Sequence, residues 1–326
     1  MSGNFWLSLP RPIVALAPME GVTDEPFRRI CREHGADVVY TEFVSADAIV
    51  HRAPTVMRKL RFHESERPIV AQIFGRRPES FAIAARTLTE LGFDGIDINL
   101  GCPARKVIGS GSGVALLREP ATIRTLLEAT LSATTLPVSI KVRASIRKER
   151  PSIAPHDPTR VTALDVVQAL SDLPIAAIMV HGRTAEANDD DQVDTEMIAA
   201  VKRESPAVVL GNGGIRTVAD AATMIAATNV DGVGVARGAW GHPWVFHELR
   251  AALRHESIPV IDPRQVILKH AELVVADSGE RGLLDFRKHF AHYINGFPGA
   301  AGLRKQAVTV STLDEVRRIT EAMPNT

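Results

Sequence analysis

The residues most able to do chemistry begin at 99–113, NLGCPARKVIGSGSG, where Cys102 sits between a glycine and a proline, followed by Arg105 and Lys106, among four glycines. A thiol on so stiff a turn is either a reacting group on a ligand-binding loop or a small residue that fits the bend. Lys141 interrupts an apolar run, VSIKVR (138–143). Burying an ammonium is unfavourable unless an anion or acceptor meets it, so Lys141 calls for a bound anion or a neighbouring carboxylate. In GNGGI (211–215) and ARGA (236–239) glycines let backbone N–H groups approach an anion closely, and Arg237 is a fixed cation suited to phosphate. Each glycine could equally serve a tight turn.

These groups need a scaffold. Eight short apolar runs recur: IVALAPM (13–19), VVYTEF (38–43), IVAQIF (69–74), GIDINL (95–100), VSIKVR (138–143), AAIMVHG (176–182), VVLGNGG (208–214) and GVGVARG (232–238). Between most of them lie segments with helical spacing, such as 78–92, where Phe81, Ala85, Leu88 and Leu91 are expected on one face. Apolar strands separated by helices predict a parallel sheet covered on its outer side, and eight such units predict an α/β fold closed as a (β/α)₈ TIM barrel. The active site of such a barrel lies at the C-terminal ends of its strands. The polar residues there are Met19 and Glu20, Gln72, Asn99 leading into Cys102, Lys141 and Arg143, His181 and Arg183, Asn212 with Gly213 and Gly214, and Arg237 with Gly238. The last two strand ends coincide with the customary phosphate site of the fold.

After the eighth unit the pattern turns purely helical from about residue 263, beyond a proline-marked link. The chain is therefore expected to divide into a barrel, 1–257, and a helical domain, 258–326, in which Phe290, Tyr293 and Phe297 fall at core spacing. The segment 147–160 is longer and richer in proline than a plain connection requires and is a candidate lid.

Composition excludes several classes. With 326 residues, 45% hydrophobic and 23% charged, the chain reads as globular, and no apolar run reaches the length of a membrane span. The first residues, MSGNFWLSLPRP, lack the layout of a secretory signal, so a cytoplasmic location is expected. Cys31 and Cys102 are too far apart in sequence for a metal-ligand pair or a disulfide framework, so no metal is expected. Cys31, in FRRICREHG, reads as a core residue. The net charge of zero leaves a polyanionic partner only local patches to meet. Two exist, at 52–77 and 281–305, and either could be a solvated helix face.

The order and spacing of APMEGVTDEPFR (17–28), TEF (41–43), AQIFG (71–75), DINLGCPARKV (97–107), GSGVALL (111–117), IKVR (140–143), VHGRT (180–184), GNGGI (211–215), ARGA (236–239) and RKHFAHYINGFPGA (287–300) resemble the tRNA-dihydrouridine synthases, flavin enzymes that reduce uridine in transfer RNA. The resemblance spans nearly the whole chain. It implies FMN as cofactor and NADPH as electron donor, with Pro18 and Met19 supporting the flavin ring, Gln72, Lys141 and His181 contacting it, and Asn212, Gly213, Gly214, Ala236, Arg237 and Gly238 around its phosphate. It implies Cys102 as the general acid that protonates C5 of uracil after hydride reaches C6. Asn99, Arg105, Lys106 and Arg183 would help to hold the substrate, and Arg287 and Lys288 would bind the tRNA backbone. A monomer is expected. For the thiol to donate a proton, Arg105 and Lys106 must point away from it.

Two departures from the family pattern stand out. Ala236 replaces a common glycine, and AEANDDDQVDTEMI (185–198) is acidic where the family has aromatic residues, so this loop would repel a phosphate backbone. The competing readings are a flavin barrel acting on a free pyrimidine, as in the dihydroorotate dehydrogenases, and a tRNA-binding protein with a vestigial flavin site.

Overall fold

The computed structural model describes residues 3–147, 160–188, 190–258 and 260–324. All eight apolar runs form strands: β1 (Ile13–Leu16), β2 (Val38–Tyr40), β3 (Ile69–Phe74), β4 (Gly95–Leu100), β5 (Val138–Arg143), β6 (Ala177–His181), β7 (Val208–Asn212) and β8 (Gly232–Val235). Each pairs in parallel with its neighbours, and β8 pairs with β1 from Ile13↔Gly232 to Leu16↔Val235, which closes the barrel. Gly232 is required at this seam, because a Cβ there would lie 2.2 Å from the Ile13 carbonyl oxygen. Several strands end earlier than the apolar runs suggest. The residues beyond them, such as Pro18, Gly213 and Arg237, form the loops of the barrel mouth.

Strand periodicity divides each strand between two environments. Val14, Leu16, Val39, Ile69, Ala71, Ile96, Ile98, Ile140 and Val180 point outward into the layer beneath the helices. Ile13, Ala15, Val38, Tyr40, Val70, Ala177, Met179, Val208 and Leu210 fill the interior, with Trp6 packed among them. Continuing the inward parity towards the strand ends brings in Gln72, Asp97, Asn99, Ser139, Lys141, His181 and Asn212. The interior is thus apolar at one end and polar at the other.

The outer layer includes α1 (Glu25–Glu33), α2 (Pro78–Glu90), α3 (Pro120–Leu131), α4 (Ala163–Ala169), α5 (Thr195–Glu204), α6 (Val218–Thr228) and α7 (Val245–Leu253). Their starts are specified locally: Asp24 caps α1 by accepting from the Phe27 N–H, and Thr217 with Asp220 forms a capping box on α6. In α2, Phe81, Ala85 and Leu88 are fully buried as expected, whereas Leu91 is 40% exposed. The helix ends at Glu90, so Leu91 is its C-cap and leaves the buried face.

From Pro263 the chain forms α8 (Pro263–Ser278), α9 (Leu283–Tyr293), α10 (Ala300–Ala307) and α11 (Leu313–Glu321). Phe286, Phe290, Tyr293, Ile267 and Val316 share a core to which α1 contributes Ile30, so these helices seat on the barrel through α1. Phe297 is only partly buried, and Cys31 is fully buried. Most of the candidate lid lies outside the described residues; at its root, Ser145–Arg147 pairs antiparallel with Arg160–Thr162. No described helix is long and apolar enough to cross a membrane.

Candidate active site

The polar end of the barrel opens into a cleft of ≈ 550 Å³ lined by residues from most strand ends. Of the residues singled out in the sequence, Pro18, Met19, Gln72, Asn99, Cys102, Lys141, His181, Arg183, Asn212, Gly213, Gly214, Ala236, Arg237 and Gly238 all lie on its wall. The barrel topology gathers them from seven separate segments.

Cys102 is half-buried at the lip of this cleft. Its loop is anchored at both ends. Asn99 Oδ1 accepts the N–H groups of Gly101 (3.1 Å) and Cys102 (2.9 Å), while the Cys102 carbonyl accepts from Val114 N–H at 3.2 Å. Gly113, at φ +61°, approaches so closely that a Cβ would lie 2.8 Å from the Cys102 oxygen, which accounts for one glycine of the GSGSG run. Arg143 braces the loop from the far side, donating Nε to the Gly101 carbonyl (2.9 Å) and Nη1 to the Thr184 carbonyl (2.9 Å).

Burial raises the Cys102 thiol above its ordinary range, against the opposing pull of the Ala104 N–H and the cations Arg143 and Lys141. The thiol is therefore held protonated at neutral pH. Arg105 and Lys106 are exposed and outside the cleft lining, as a proton-donating thiol requires. Burial, then Arg143, push the Lys141 ammonium down to about 8. Among the described residues it has no hydrogen bond or ion pair; the carboxylate of Asp97 reaches it only as a through-space charge. His181 is driven far below the ordinary imidazole range by burial and then by Lys141, Arg143, Arg183 and Arg237, so its ring is neutral.

The other expected residues also make structural contacts. Asn212 donates Nδ2 to the Gly234 carbonyl at 2.7 Å and so ties β7 to β8. Gly213 and Gly238 are dictated by packing: a Cβ would stand 2.7 Å from the His181 ring and 2.3 Å from the Ile215 carbonyl. Gly214, at φ +73°, would bring a Cβ into contact with Val193 alone, and it lines the cleft. Arg183 is buried and donates Nε to the Asp191 carbonyl at 2.6 Å. Arg287, expected to contact the tRNA backbone, is partly buried. Its guanidinium donates to the carbonyls of Val310 (2.8 Å) and Thr309 (3.1 Å) in the loop after α10. Lys288 lines a second cleft, of ≈ 290 Å³, between Glu20, Glu42, Arg58 and the helices α8 and α9. In the basic run 52–77, Lys59 pairs with Glu20 and Glu42, Arg61 with Asp277, Arg67 with Glu64 and Asp94, Arg76 with Glu119 and Arg77 with Asp47. Much of that patch is internally neutralised.

The sequence reading missed Asp97, Phe43 and Arg216. Phe43 and Arg216 line the cleft. Asp97 lies beneath it, and the alternation of GIDINL was the one signal that could have placed it inward.

The chain matches the family model described as Dihydrouridine synthase (Dus) over residues 15–325. It is 34% identical over 337 residues to a probable tRNA-dihydrouridine synthase of Mycobacterium tuberculosis, covering 98% of this chain and 84% of that protein. It is 34% identical over 304 residues to tRNA-dihydrouridine synthase B of Pseudomonas aeruginosa, covering 92% and 88%. The chain belongs to the dihydrouridine synthase family. Its barrel is similar in fold to histamine dehydrogenase from Rhizobium sp. 4-9, with a TM-score of 0.55 at 13% identity, over 80% of this chain and 49% of that one.

In this member of the family the acidic loop after Arg183 makes several internal contacts. Glu186 accepts from Arg160 (2.7 Å) and from the Arg147 N–H (3.1 Å), Asp191 accepts from the Asn188 N–H (2.6 Å), and Asp194 caps α5. Asp190 faces the cleft.

Proposed function

We propose that this protein reduces uridine in tRNA to 5,6-dihydrouridine using a bound flavin, FMN, that is reduced in turn by NADPH. The observation that carries this reading is a protonated thiol, Cys102, at the lip of a cleft in which Lys141 presents an unpaired ammonium. The residues fit the cofactor class: Lys141 lacks the anion its burial calls for, and Gly214, Arg216 and Arg237 line the cleft together at the seventh and eighth strand ends, where this fold customarily seats a phosphate.

Pro18 and Met19 form the edge of the cleft, and Met19 is held by reciprocal hydrogen bonds with Thr23, from Met19 N–H to Thr23 Oγ1 (3.2 Å) and from Thr23 Oγ1 to the Met19 carbonyl (3.1 Å). When bound, the flavin supplies a hydride equivalent to C6 of the pyrimidine. Cys102 gives its proton to C5 and is reprotonated from solvent, which its half-exposed position allows. Lys141 counters negative charge on the cofactor, and neutral His181 is able to donate or accept without adding charge. The uridine must leave its stack to reach the cleft. Residues 258–326 then serve as the tRNA-binding part, with Lys288 and the exposed Lys305 as backbone contacts; Arg105 and Lys106 stand on the rim for the same purpose. A cytoplasmic monomer suits this task.

The test uses the purified protein, FMN, NADPH and an unmodified tRNA transcript. Mass analysis should show uridine gaining two hydrogens, dependent on all four components. A protein that takes up FMN and is reduced by NADPH but leaves every uridine unchanged would refute the substrate assignment.

A further inference from the structure

We infer that Asp97 is a positioning residue that fixes the direction of an amide chain ending at the Cys102 loop. The inference deepens the functional reading above, which makes that loop the reacting one. Asp97 is fully buried and does not line the cleft. Strand register sets Gln72, Asp97 and Ser139 side by side in one inward layer, with Asn99 in the next layer towards the mouth.

The contacts run from Ser139 to the Cys102 loop. Asp97 Oδ1 accepts from Ser139 Oγ at 2.6 Å, and Oδ2 accepts from Gln72 Nε2 at 2.7 Å. Gln72 Oε1 accepts from Asn99 Nδ2 at 3.0 Å, which leaves Asn99 Oδ1 for the N–H groups of Gly101 and Cys102. Each primary amide can be turned end for end, so geometry alone does not fix their direction. An ionised carboxylate does, because it only accepts. Facing Asp97, Gln72 must present its NH₂ and turn its carbonyl towards Asn99. Asn99 must then donate to Gln72 and keep its own carbonyl for the loop. Reversing either amide would set carbonyl against carboxylate or leave two loop N–H groups unpaired. Burial pushes the Asp97 carboxyl up to about 6, with Ser139, Gln72 and Lys141 opposing, so the group stays ionised at neutral pH.

The two cysteines provide a direct readout. Cys31 is fully buried, so alkylation of the folded protein by iodoacetamide reports Cys102 alone. Rates are taken on the plateau at high pH, so that a change in thiol ionisation does not enter. Asp97→Asn keeps the shape but no longer dictates direction; the loop should loosen and alkylation should rise about tenfold, the loss of roughly one hydrogen bond. In the double variant Asp97→Asn, Gln72→Glu the acceptor-only group moves to position 72, where it still forces Asn99 to donate. Alkylation should return to within about twofold of the wild type, and Ser139→Ala, which leaves the polarity intact, should stay in the same range. Wild-type alkylation in Asp97→Asn, or fast alkylation in the double variant, would overturn the inference. The double variant also decides the matter if Asp97→Asn alone does not fold. No tRNA or turnover enters these measurements, so they stand or fall apart from the assigned reaction.

Discussion

Two polar clusters, one inside the barrel and one where α1 meets α8 and α9, differ in how completely they are satisfied. Beneath Cys102, each side-chain oxygen of Asp97, Gln72 and Asn99 has a hydrogen-bond partner. Where α1 meets α8 and α9, Asp24, His270 and His289 bring their polar atoms within 4.8 Å of one another, yet His270 Nε2 and both ring nitrogens of His289 have no hydrogen-bond partner. His289 Nε2 stands 3.6 Å from Asp24, too far for a hydrogen bond, and burial with its histidine neighbour pushes His270 down to about 3. The first cluster is preorganised. The second is packed by aromatic contacts, with Phe27 and Phe286 against the imidazoles. A fully connected network rigidifies what rests on it, whereas a partly connected one lets neighbouring helices shift at little loss.

The largest expected effect follows from removing the centre of the connected cluster. Asp97→Ala leaves the buried Gln72 amide and Ser139 hydroxyl without their acceptor and should destabilise the fold by about 3–5 kcal/mol in urea titrations. A loss below about 1 kcal/mol would erase the distinction between the clusters. Next comes Lys141. Its native titration is lowered to about 8, so the cation that attracts an anionic flavin is present below that value and is lost as pH rises through it. FMN affinity should be level near neutrality and fall by up to about tenfold per pH unit above 8, and Lys141→Met should abolish the slope. Lys288 gives a smaller effect. Its replacement by alanine should lower the salt dependence of tRNA binding by about one phosphate contact, with flavin reduction unchanged. The smallest effect is at the junction itself: His289→Leu forfeits no hydrogen bond and should change stability by no more than about 1 kcal/mol. A loss of about 3 kcal/mol there would make His289 and Asp24 a genuine buried pair.

These contrasts also explain what could be read from sequence. Cys102 and Lys141 were legible because each residue type is rare in its setting, a thiol between glycine and proline and a cation inside a strand. The eight strands were legible from their apolar runs, and the barrel places the expected residues at one mouth. Asp97 was not, since its role depends on cross-strand register with Gln72 and Ser139. Charge in a sequence also does not reveal that carbonyls 22 and 23 positions away accept from the Arg287 guanidinium. The junction cluster joins residues some 250 positions apart, Asp24 with His270 and His289, which only the packing of α8 and α9 on α1 brings together.

The central claim is that Cys102 delivers a proton to the substrate. It is tested most directly by pre-reducing the flavin-loaded enzyme, mixing it with excess unmodified tRNA, and following flavin oxidation in a single turnover, normalised to bound FMN. Cys102→Ala should retain FMN and its reduction by NADPH, while oxidation by tRNA slows by about 10²–10⁴-fold. Oxidation at the wild-type rate in that variant would contradict the assignment and leave Cys102 as a residue that merely fits its turn.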